Sequence, residues 1–238
     1  MSPWPNMLTE EIPRTIHMVW VGTSPPSWVK RRWDLWKQWA KPRGIEIVTW
    51  DNDMVLPWTK ALDFPHPVVQ ADFLRVEIVG RYGGMYVDSD AVPLPGGEAD
   101  DLFGQRKGWT VLLNNPHNPR EVSNGAFGFP AWHPFLEQVW ESGVERLHRG
   151  YTRHSSIIGP IVWSAAAQVH DVDTLGFERF YAEDMDLGRY LLEDLSMKHP
   201  DRLMVHEFEQ SWQHGYDGHG IHKPTPRWER RMITSEEN

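Results

Sequence analysis

The stretch 71–93, ADFLRVEIVGRYGGMYVDSDAVP, constrains this chain more than any other. It opens with apolar residues at helical spacing, breaks at Gly83-Gly84, resumes as a short apolar strand and ends on Asp88 and Asp90. A helix followed at once by an apolar strand belongs to a layered α/β design. On extended backbone, residues i and i+2 point to the same side. Asp88 and Asp90 are therefore expected to offer two carboxylates to one hard cation at a strand end. Mn²⁺ or Mg²⁺ suits such oxygens and keeps positions open for a diphosphate.

The rest of the chain alternates in the same way. Ile16, Met18, Val19 and Val21 predict a buried strand within 12–22, closed by Gly22 and Pro25-Pro26. Val29, Trp33, Trp36 and Ala40 give one face of a helix over 28–40, and a second strand follows over 45–50. Asp51-Asn52-Asp53 reads as a turn, and 56–67 as irregular. A helix over 68–80 carries Asp72 and Arg75 three residues apart on one face, and Tyr86-Val87 forms a third strand. Later strands are predicted over 109–113, 125–129, 177–181 and 203–208, with helices over 134–148, from Gly159-Pro160 to 169, and over 185–195. The expected architecture is a single α/β domain over 1–238, ending from about 213 in a loop and charged tail. Ligands of such sheets sit at the carboxyl ends of the strands, which is where Asp88 and Asp90 fall.

A formal net charge of -9 argues against nucleic acid as a partner, because binding phosphate backbones needs a basic face. No apolar run nears the roughly 20 residues that a membrane-spanning helix requires, and residues 1–11 lack the basic and apolar segments of a signal peptide. With zero cysteines, thiolate nucleophiles and Cys-bound zinc are excluded, and a cytoplasmic location is expected. The fourteen tryptophans suit either packing or sugar stacking, with about three in four assigned to packing.

An Asp-x-Asp pair alone says little. The chain holds four, Asp51/Asp53, Asp88/Asp90, Asp171/Asp173 and Asp184/Asp186, where about one is expected by chance. Asp88/Asp90 alone follows an apolar strand and a Gly-Gly turn. The ordered set ADFLR and YGGMYVDSD resembles the signature of DXD-motif glycosyltransferases of family 32, which includes yeast α-1,6-mannosyltransferases and bacterial capsular sugar transferases and is related to large glucosylating toxins. IPRTIHMVWVG resembles their first strand. Asn124, Pro130, His133-Pro134-Phe135, Ile158-Gly159-Pro160 and VHEFEQSW are similar to later elements in the same order, so the resemblance runs from about 12 to 212.

That resemblance implies a GT-A type fold, Rossmann-like, with a mixed, mostly parallel central sheet covered by helices. It also implies a nucleoside-diphosphate sugar donor (UDP- or GDP-linked), a divalent metal, retention of anomeric configuration and a glycan or other hydroxyl acceptor. Asp72, Arg75, Asp88 and Asp90 would form the catalytic set. Trp20 would stack on the base, Asp72, Arg75, Tyr86 and Asp88 would line the donor, and Ser211 with Trp212 would close over the diphosphate. Asp88, Asp90 and His206 would hold the metal. Glu207 stands where relatives often carry a second histidine, and His214, His219 and His222 have metal-like spacing, so the third ligand stays open between them and His206. Chemistry supports the set independently: a departing diphosphate gains negative charge, which a cation and a guanidinium stabilise.

Two rival readings follow from the same residues. MYVDSDAV also matches the strand-Asp-x-Asp motif of haloacid-dehalogenase-type phosphatases, with Asp88 as nucleophile. The tryptophan load also suits a non-catalytic carbohydrate-binding protein.

Overall fold

The computed structural model describes Trp4, residues 9–181 and residues 202–206. The described residues divide into two compact units. The larger takes Trp4, 9–89 and 99–177; the smaller takes 90–98, 178–181 and 202–206.

In the larger unit the chain runs β1 (Thr15–Val19), α1 (Ser27–Ala40), β2 (Glu46–Trp50), α2 (Pro57–Lys60), α3 (Pro67–Tyr82) and β3 (Gly84–Val87). The smaller unit holds β4 (Ala91–Pro93). The larger then continues with β5 (Trp109–Leu112), β6 (Val122–Phe129), α4 (Pro134–His148), α5 (His154–Ile157), α6 (Pro160–Ala167) and β7 (Asp173–Leu175). Its sheet has the order β2-β1-β3-β6-β5-β7. β1 lies parallel to β2 and β3, and β7 parallel to β5, whereas β6 runs antiparallel to both of its neighbours. The expected mixed, mostly parallel sheet is therefore present, with its reversal concentrated in one strand.

α3 positions the site, and its sequence explains why. The His66 side chain accepts the Val68 N–H, Pro67 occupies the first turn, and Gly83, at φ 68, closes the helix by donating its N–H to Val79. Every residue from Asp72 to Gly80 is buried, so this is a core helix rather than one with a wet face. Glu77 is fully buried and satisfied. It accepts from the Trp58 and Thr59 backbone amides, the Thr59 hydroxyl and Arg81 Nε, which fixes the start of α2.

The Gly83-Gly84 turn is locked from below. His17 Nδ1 accepts the Trp50 indole N–H at 3.2 Å, which leaves Nε2 to donate to Gly83 O at 3.0 Å. Burial holds the His17 pKa down at about 4, so the ring is neutral. Gly84 sits at φ 100, and a Cβ there would lie 2.7 Å from Thr15 O. Gly84→Ala is accordingly expected to cost about 1–3 kcal/mol through backbone strain, read as a lower denaturation midpoint with an unchanged m-value.

In the smaller unit, β4 pairs antiparallel with β8 (Met204–His206) in the register Ala91↔His206, Val92↔Val205, Pro93↔Met204. Leu203 extends this pairing by accepting from Leu94 N–H and donating to Arg179 O. The strand expected over 177–181 is absent: Phe177–Arg179 is a single 3-10 turn. Its carbonyls at Glu178 and Arg179 face Arg202 and Leu203 instead of a neighbouring strand ladder. The expected helix over 185–195 lies outside the described residues, and among those described no helix is long and apolar enough to cross a membrane.

Candidate active site

The carboxyl end of β3 gathers Asp72, Arg75, Tyr86 and Asp88, four of the residues singled out in the sequence. Asp72 and Arg75, one turn apart on α3, do not form a surface pair; their side chains are only 6% and 8% exposed. Arg75 Nη2 lies 3.0 Å from Asp72 Oδ1, and its Nη1 lies 2.9 Å from Asp88 Oδ1. The same Nη1 donates to the Asn124 carbonyl at 2.7 Å. The guanidinium rests on the Tyr86 ring, with Cζ 4.5 Å from the centroid, and the Tyr86 hydroxyl donates to Asp88 Oδ1 at 2.9 Å. Asn124 closes the ring of contacts by donating Nδ2 to Asp72 at 3.0 Å. Asp88 is fixed through its backbone as well, donating its N–H to Gly125 O.

Electrostatics follow from this burial. Asp72 is pushed up from 3.8 to about 6 by burial first, with the Asp88 charge adding to the rise and Arg75 and Asn124 opposing it. Burial likewise lifts the Tyr86 hydroxyl well above its ordinary range, so it remains a donor to Asp88. One guanidinium shared between a buried and a partly buried carboxylate is a preorganised arrangement. It costs no rearrangement when further negative charge arrives beside it.

The Asp-x-Asp turn itself departs from expectation. β3 ends at Val87, and Ser89-Asp90 form a turn, so the alternation argument for extended backbone does not apply to this pair. In the larger unit Asp88 faces Arg75 and Tyr86. In the smaller unit Asp90 Oδ1 lies 3.2 Å from His206 Nε2, with the Tyr181 ring packed 5.3 Å from that imidazole. Trp20, just past β1, is half-buried and meets Trp28 edge-on at 5.2 Å. Ser211, Trp212, Glu207, His214, His219 and His222 lie outside the described residues.

Two of the other aspartate pairs have ordinary roles. Asp51 caps the turn that follows it by accepting from Asp53 N–H. Asp171 and Asp173 both hold the Lys107 ammonium, at 2.8 and 2.7 Å. Asp184 and Asp186 are outside the described residues. Two features of the site had no assigned role in the sequence reading. Asn124 was visible only as a motif match, and its double contact with Asp72 and Arg75 depends on β6 lying beside β3. Ser89, the middle residue of Asp-x-Asp, carried no signal at all.

No family model matches the chain. Inositol phosphoceramide mannosyltransferase 3 of Schizosaccharomyces pombe is 28% identical over 187 residues, which cover 68% of this chain and 48% of that protein. Inositol phosphoceramide mannosyltransferase 1 of the same yeast is 24% identical over 174 residues, covering 65% of this chain and 51% of that protein. The chain thus spans about half the length of these curated relatives. A human α-1,4-N-acetylglucosaminyltransferase is 35% identical over 80 residues, 32% of this chain and 19% of that enzyme. Among solved structures, a glycosyltransferase involved in glycosylation of the major capsid of PBCV-1 shares the fold with a TM-score of 0.50 and 12% identity, covering 81% of this chain and 92% of that one. The chain is thus similar in sequence to curated sugar transferases, and it has a GT-A type fold like that of a solved glycosyltransferase.

Proposed function

We propose that this chain is a metal-dependent retaining glycosyltransferase that takes a sugar from a UDP- or GDP-linked donor and passes it to a glycan or other hydroxyl acceptor. The observation that carries this reading is the buried Asp72–Arg75–Asp88 network at the end of β3. In the transfer, the bond from the anomeric carbon to the β-phosphate oxygen breaks and the nucleoside diphosphate leaves with the electron pair. The acceptor oxygen bonds to that carbon on the same face and passes its proton to the departing diphosphate oxygen. Arg75 supplies fixed positive charge beside the developing diphosphate, and Asp72 and Asp88 hold its fork in place.

The residues fit a divalent cation. Asp90 and His206, 3.2 Å apart in the smaller unit, offer a carboxylate and an imidazole, and Asp88 offers a second carboxylate two residues before Asp90; such donors suit Mn²⁺ and tolerate Mg²⁺. Bound there, the cation would neutralise charge on the donor's diphosphate. The phosphatase alternative finds no support among these relatives, which are named as sugar transferases. A tryptophan-based sugar platform is disfavoured too: of twelve described tryptophans, eight are buried in packing.

A panel of nucleotide sugars with Mn²⁺, read as release of UDP or GDP, tests the reading without a known acceptor. Turnover of one donor that stops in excess EDTA is the expected result; p-nitrophenyl phosphate hydrolysis in its place would overturn the reading. Activity is also expected to fall about tenfold per pH unit below about 6, because protonating Asp72 releases its hold on Arg75. Stability moves the other way. A carboxyl raised in the folded state contributes stability that is present below 3.8 and lost as pH rises through about 6. An acid limb caused by unfolding would show both falling together, which a rate profile set beside thermal midpoints distinguishes.

A further inference from the structure

Ser89 lies between the two aspartates, yet its own side chain is turned into the protein and only 6% of the residue is exposed. Its hydroxyl donates to Val19 O at 2.8 Å and accepts the Trp33 indole N–H at 3.2 Å. An indole can only donate, so the serine proton is committed to Val19 and its lone pair to Trp33. Val19 is the last residue of β1, and its carbonyl belongs to the peptide unit that leads into Trp20. The N–H of that same peptide unit donates to Trp50 O at 2.9 Å. The Val19–Trp20 peptide is thus pinned on both sides, by β2 through its N–H and by the Asp-x-Asp turn through its C=O. Trp33, 7% exposed on α1, anchors the arrangement to the helix that follows.

We infer that Ser89 and Trp33 are positioning residues that fix the base-stacking segment at Trp20 relative to the carboxylate at Asp88. This rests on the nucleotide-sugar reading above and deepens it by naming what sets the span of the donor site. A nucleoside diphosphate must engage Trp20 at its base and the Asp88 end at its ribose and phosphates at once. A rigid spacing lets the second contact form without further ordering of the protein. A nucleoside alone rests on the first contact and gains nothing from the brace.

The experiment uses the full chain with Mn²⁺. Affinities for UDP, GDP and the matching free nucleosides are measured for wild type, Ser89→Ala and Trp33→Phe, together with donor KM, kcat and thermal midpoints. Trp33→Phe keeps an aromatic ring and removes the N–H together with the pyrrole half of the indole, so it gives a second, independent reading where Ser89→Ala folds poorly. Both variants are expected to lose about tenfold in nucleoside diphosphate affinity and donor KM. Nucleoside affinity is expected to stay within about twofold, and kcat to fall less than KM rises. Equal loss for nucleoside and diphosphate, or a lowered midpoint with unchanged KM, would mean a structural hydrogen bond only and overturn the inference. Wild type that binds and turns over no nucleotide sugar would overturn the functional reading and this inference together, whereas normal turnover with unaltered variants overturns the brace alone.

Discussion

Asp90→Asn is expected to lower donor turnover by about 10²–10³-fold, the loss typical of removing one preorganised group that stabilises transition-state charge. The substitution keeps the shape and one oxygen and removes the negative charge that a divalent cation needs. Asp90 lies on a turn and is partly exposed, with His206 Nε2 as its partner at 3.2 Å, so an amide can still meet the imidazole. The thermal midpoint should therefore stay close to wild type while activity collapses. Raising Mn²⁺ should recover a share of the rate, because weakened binding responds to mass action. Substantial activity in Asp90→Asn at ordinary Mn²⁺, or full wild-type activity in excess EDTA, would rule out a metal-dependent transferase.

The second large effect is expected at Arg75, and it is a loss of stability as well as of rate. Arg75→Met leaves the Asp72 and Asp88 carboxylates without the guanidinium that lies 3.0 and 2.9 Å from them. Breaking a buried ion pair by removing one partner typically costs about 3–5 kcal/mol, which for a chain of this size means roughly 6–20 °C in thermal midpoint. The methionine should still pack on Tyr86, so the deficit is electrostatic and not a cavity. Adding Asp72→Asn to Arg75→Met should return part of the stability, since one buried charge is then gone, but none of the activity. Arg75→Lys should fall between, because an ammonium keeps the charge and loses the fork that meets both carboxylates and the Asn124 carbonyl. If Arg75→Met is as stable as wild type, the network is not the structural centre of the site.

Much of this was legible in the residues. The apolar runs of β1 and β3 announced themselves because interior strands are buried on both faces, and the spacing in α1 and α4 because one face of each helix packs inward. Asp72 and Arg75 could be paired because a helix brings residues three apart together. What stayed hidden depends on backbone partners, which leave no side-chain signature. β7 reads as polar Asp173-Thr174-Leu175, and it is a strand because its amides pair with β5. β4 is three residues long, too short for any periodicity, whereas β8 falls within the strand expected over 203–208. The reversed direction of β6, and with it the double role of Asn124, belongs to topology. Ser89 was unreadable for a different reason. Serine between two aspartates looks like a polar turn residue, and nothing local reveals that its hydroxyl reaches back 70 residues to Val19.

The seam between β3 and β6 has a consequence for the order of events at birth. β2, β1 and β3 come from the first 87 residues, and β6, β5 and β7 from 109–175. Asp72, Arg75 and Asp88 leave the ribosome with the first half, whereas Asn124 and Gly125, which hold Asp72, Arg75 and Asp88 in place, arrive with the second. A nascent chain that has finished β1, α3 and β3 still has a charged cluster and no wall on one side of it. The network is completed only when the antiparallel strand docks, so its order depends on both halves of the sheet and not on its most conspicuous motif alone.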